Sequence, residues 1–187
     1  MKKIQYIIFI GLSMITMSCE KLLDAPAKSS LETEVIFSTY DLARGAVDGI
    51  KMPMQEVNSY RGRFLPYYGM NTDIEWWDNH TENDKAVDLT TYIALPNNAN
   101  MDTENNAYGE FFSGIEKANL CIQGLKEYSD PQPGTKFGEL LGEAIVLRAI
   151  YYTDLLKAWG DVPMRFEPIT KETMYIGKPA EMLFMTG

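Results

Sequence analysis

The sequence predicts an all-α fold of helical hairpins with long irregular loops, on three observations. Two segments, about 104–128 and 135–159, carry apolar residues at helical spacing over many turns. Only a short proline- and glycine-bearing stretch, Pro131-Gln-Pro133-Gly134, separates them. By contrast, residues 58–106 have no sustained period and are rich in Gly, Pro, Asn and Asp.

The first helix is predicted to start at Ser38-Thr-Tyr-Asp41, which resembles a capping box with Asp in place of Glu. Leu42, Ala43, Ala46, Val47, Ile50 and Met54 then follow at helical spacing, and Pro53 is expected to kink or end the helix near Met52. In the irregular stretch, Asp88 to Leu95 could form a short strand. The second helix has an inner stripe of Tyr108, Phe111, Phe112, Ile115, Ala118, Asn119, Ile122 and Leu125. Thr135 is placed to cap the third. That helix is apolar on more than one face, so it is expected to be buried between neighbours, with Gly138 and Gly142 admitting a close partner helix. Arg148 lies among apolar residues and needs a partner, either an ion pair or a loop. Stacked helical hairpins are the unit of tetratricopeptide solenoids, although no repeat of fixed period is present.

The N-terminus has Lys2 and Lys3, an apolar run from Ile4 to Met17, and Thr16-Met17-Ser18-Cys19. The apolar run falls short of the roughly 20 residues of a spanning helix and has the layout of a secretory signal. Small residues before Cys19 resemble the lipobox of bacterial lipoproteins, in which the cysteine is acylated and the peptide is cut before it. Residues 1–18 are therefore expected to be a signal peptide and 19–37 a lipidated N-terminus and tether. Removing 1–18 takes away two lysines and no acid, so the net charge moves from −9 to −11. Two or more acyl chains anchor a chain stably to a membrane without crossing it. With Cys19 acylated, Cys121 has no disulfide partner, and its apolar surroundings predict a small core residue.

Several function classes are weakened by composition. The acidic balance, 17 Lys+Arg against 26 Asp+Glu, argues against nucleic acid as a partner. The single histidine, His80, excludes His-His zinc motifs, and no phosphate loop or CxxC pair occurs. Acid pairs such as Asp73/Glu75 and Asp78/Glu82 arise by chance in a chain this acidic, and glycosidase chemistry depends on their separation in space. The sequence therefore predicts no catalytic residues, no metal site and no cofactor. Its best ligand candidate is Trp76-Trp77, whose ring faces could stack on the C–H face of a sugar while Asp73, Asp78 and Asn79 take hydroxyls. The alternative is that one or both tryptophans cap the core.

Three stretches stand out: Ser18-Cys19-Glu-Lys-Leu-Leu23-Asp24 with Pro26, then YGEFFSGIEKANL at 108–120, and LGEAIVLRAIYYTDLLKAWGDVP at 141–163. Together they resemble the SusD/RagB family of outer-membrane nutrient-binding lipoproteins of Bacteroidetes. The resemblance implies a tetratricopeptide-like helical domain over 38–179, the N-terminal part of a truncated SusD-like fold. It implies a non-catalytic, lipid-anchored protein exposed on the outer membrane. Such a protein binds a nutrient, usually a glycan, and delivers it to a SusC-like TonB-dependent transporter. Peptide cargo also occurs in the family, and the sequence does not choose between them. A helical scaffold lipoprotein for protein–protein contacts is the alternative.

Family members run to several hundred residues, and Ala180 to Gly187, AEMLFMTG, does not resemble the family's continuation. Codons permitted for this peptide, read two bases further along, give Arg-Asp-Val-Ile-Tyr-Asp-Arg, which does. A frameshift is the expectation. The gene's nucleotide sequence tests it: a normal stop after Gly187, with no frame encoding further SusD-like residues, refutes it.

Overall fold

The computed structural model describes residues 32–62, 64, 72–75, 98, 106–177 and 180–181. Among the described residues four α-helices dominate: α1 (Thr33–Ser38), α2 (Tyr40–Gly49), α3 (Ala107–Tyr128) and α4 (Lys136–Trp159), with a 3₁₀ turn at Met52–Gln55. A two-residue antiparallel ladder pairs β1 (Val162–Pro163) with β2 (Ala180–Glu181), Val162 opposite Glu181 and Pro163 opposite Ala180. The all-α expectation holds for the described residues.

Helix boundaries follow capping chemistry. Asn106 accepts a hydrogen bond at Oδ1 from the Gly109 N–H (3.0 Å), so α3 starts at Ala107 and not at Glu104. Thr135 does the same for the Gly138 N–H (3.0 Å), as the sequence predicts. Gly160, at φ 75°, ends α4 while its N–H reaches the Leu156 carbonyl (3.0 Å). The first predicted start is displaced. Ser38 closes α1, an unforeseen helix, and Thr39 leads into α2 with no side-chain cap bond. Pro53 sits inside the 3₁₀ turn, where its missing N–H costs little.

Helices α3 and α4 form an antiparallel hairpin, and α1, α2 and the 3₁₀ turn pack across it. Phe111, Ile115 and Leu125 of α3 meet Leu140, Ala144, Tyr151 and Leu155 of α4, with Val47 and Ile50 closing the core. Two glycines make the packing possible. A Cβ on Gly114 would lie 2.3 Å from the Tyr151 ring, and one on Gly124 would lie 2.1 Å from the Phe37 ring. Sequence reasoning assigned this role to Gly138 and Gly142. Gly142 instead faces open space, and Gly138 faces the Gln132 carbonyl of the connecting loop. Close approach depends on which glycines meet a large ring across the interface, which spacing alone does not reveal.

Past Gly114, the Tyr151 hydroxyl donates to the Ile50 carbonyl (2.6 Å), tying α4 through α3 to the end of α2. Around it, Tyr60 stacks on Phe111 (centroids 5.0 Å), and Phe64 lies edge-on to Phe111 (4.9 Å) and parallel to Trp159 (5.9 Å). The Tyr60 hydroxyl donates to Asp154 (2.5 Å). Burial first, and the Asp154 carboxylate second, hold the Tyr60 phenol well above its ordinary pKa.

At the other side of the hairpin, Arg44 of α2 grips Glu143 of α4 through two bonds (2.5 and 2.9 Å), and Lys51 reaches the same carboxylate (2.6 Å). Asp48 bridges both cations (2.8 Å to Arg44, 3.0 Å to Lys51). The Arg44 hydrogen bond is the main cause that pushes the Glu143 pKa down to about 2, against the opposing effect of partial burial, with Lys51 assisting. A depressed carboxylate stabilises the fold above its unfolded pKa and loses that contribution as pH falls through the folded value. The side chains stay partly wet, so the network contributes about 1 kcal/mol. The stability difference between wild type and Glu143→Gln is thus expected at neutral pH. It should shrink from about pH 4.5 down to about pH 2, as read by denaturant melts across that window. A difference that persists unchanged at pH 2 contradicts the assignment.

Candidate functional site

After α4 the chain turns back across the hairpin as a strap, residues 164–169, held by side chains from both helices. Asn119 of α3, only 1% exposed, donates through Nδ2 to the Arg165 carbonyl (3.1 Å) and the Glu167 carbonyl (3.3 Å). Its Oδ1 accepts from Arg148 Nη1 of α4 (2.8 Å), which also donates to the Phe166 carbonyl (3.2 Å). The Tyr152 hydroxyl donates to the Arg165 carbonyl (2.9 Å) and accepts from the Arg165 N–H (2.7 Å). Glu116 accepts from the Ile169 N–H (2.8 Å). Each buried polar group therefore has a partner, the condition for keeping an amide and a guanidinium off water.

The strap carries Phe166 onto Arg148, with the guanidinium 4.9 Å from the ring centroid. Burial pulls the Arg148 pKa below the usual arginine value, the Tyr152 oxygen acting the other way. Of the two partners the sequence allowed for Arg148, the structure gives the loop. Between α4 and the strap runs a groove of about 650 Å³, lined by Ile145, Arg148, Ala149, Leu156, Met164 and Phe166. The expectation that α4 is buried on several sides is corrected here. Ile145, Val146 and Ile150 are 41%, 57% and 40% exposed, and among the described residues no element covers them. A second groove, about 530 Å³, lies between α1 and α3 beside Ile36, Phe37 and Leu120.

Of the sugar-platform residues, Asp73 is exposed in a bend closed by the Thr72 N–H to the Glu75 carbonyl (3.0 Å), beside Ile74, which is 91% exposed. Trp76, Trp77, Asp78 and Asn79 lie outside the described residues, as do Cys19, His80 and the 88–95 segment. Cys121 is buried in the core as expected, its thiol pushed up to about 11 by burial. Among the described residues no cluster could hold a metal ion, and no helix is long and apolar enough to cross a membrane.

Sequence reasoning singled out Arg148 and placed Asn119 in the inner stripe of its helix, yet did not join them. The signal was there: one buried amide and one buried cation on the two arms of a hairpin need each other or a backbone between them.

The hairpin with its strap can be set against known proteins. A family profile described as starch-binding and associating with the outer membrane, the SusD-like family, matches residues 23–179. The chain belongs to the SusD-like family. It is also 30% identical over 167 residues to the SusD-like protein P38 of Formosa agariphila, covering 86% of this chain. It spans 30% of that relative's length. No solved structure matches. The SusD-like match runs through α1 to α4 and the whole strap, so the clamp lies inside the family region.

Asn119→Leu keeps the volume and removes three hydrogen bonds, leaving two strap carbonyls and a guanidinium short of partners. A loss of roughly 2–4 kcal/mol is expected in denaturant melts. Amide exchange at residues 165–169 should accelerate more than in the centre of α3. A loss under about 1 kcal/mol with unchanged strap exchange refutes the clamp's role.

Proposed function

We propose that this chain is the N-terminal part of a cell-surface lipoprotein that binds a glycan and passes it to a SusC-like TonB-dependent transporter. The single observation that carries the reading is the SusD-like match across residues 23–179. The relative from Formosa agariphila, itself called SusD-like, supports the class. Cys19 takes the acyl chains that hold the protein at the outer membrane, and residues 1–18 are the export signal. The rigid helical hairpin is a body that docks, while capture falls to loop side chains.

Trp76 and Trp77 supply stacking faces for sugar rings, and Asp73, Asp78 and Asn79 accept from hydroxyls. Binding is the whole of the chemistry in this reading. A sugar that must be handed on needs a site that holds without reacting, and stacking with a few hydrogen bonds gives modest affinity and rapid release.

Affinity electrophoresis of the full-length chain through gels containing starch or other glycans tests capture. Trp76→Ala and Trp77→Ala are each expected to weaken retention at least about fivefold, the loss of one stacking face. Labelling with an alkyne fatty acid tests anchoring, and Cys19→Ser should lose both the label and membrane fractionation. Failure of wild type to be retained by any glycan overturns capture, and unchanged labelling of Cys19→Ser overturns the anchor.

A further inference from the structure

We draw no further inference here: the strongest candidate, the apolar groove between α4 and the strap together with the open Ile145, Val146 and Ile150 face beside it, carries nothing because nothing in the structure shows what covers it in a chain that spans 30% of its SusD-like relative.

Discussion

The architecture depends on one passage: the Tyr151 ring crosses α3 at Gly114 so that its hydroxyl can reach the Ile50 carbonyl. A side chain on α4 thereby satisfies a backbone acceptor at the end of α2, with α3 between them. Ile50 caps the last turn of α2, where carbonyls lack intrahelical partners, so the bond also satisfies one of them. Burial raises the Tyr151 pKa, so the hydroxyl stays a donor across the accessible pH range. Any Cβ at position 114 would push the ring off this path, and overpacking of this kind typically costs 1–3 kcal/mol. The aromatic cluster of Tyr60, Phe64, Phe111 and Trp159 gathers on Phe111 and meets that ring through Tyr60 and Phe111, at centroid distances of 6.5 and 5.7 Å.

The two ends of the hairpin are secured by different physics. The end near Tyr151 is held by packed rings and the part-buried Tyr60–Asp154 bond, whose carboxylate also lies 3.7 Å from the exposed Lys157 ammonium. The side near Glu143 is held by four partly exposed charges, which ionic strength and acid both weaken. The strap is a third kind of fastening, in which neutral donors and one cation hold backbone carbonyls. A short segment with no regular structure can lie on a helix pair only if its backbone groups are met in this way.

Local chemistry made much of the helical frame legible. The Thr135 cap, the Gly160 stop and the period of α3 and α4 are all decided by neighbours within a few residues. What the sequence did not reveal was decided across space. Gly114 and Gly138 look alike in a string, and only the ring opposite tells them apart. Helix α1 is too short to show a period, and it exists because Phe37 finds the gap that Gly124 leaves. The same limit explains the site. Arg148 could be flagged as a residue in need, but its partners are a side chain 29 positions away and a carbonyl 18 positions away. Of the aromatic platform, Asp73 alone falls among the described residues, in an exposed bend.

Arg148 shows what the strap demands of a single side chain. To hold the strap it must sit half-buried against Asn119 and Phe166, which strips water from a charge. An apolar residue there would avoid that cost but could not reach the Phe166 carbonyl. A lysine would carry the charge but could not donate to two oxygens and lie flat on a ring. Only a guanidinium meets all three demands with donors left over, and those donors sit at the groove. Strap and groove are therefore one device: the clamp that fixes Phe166 also fixes where the Arg148 guanidinium lies along the groove.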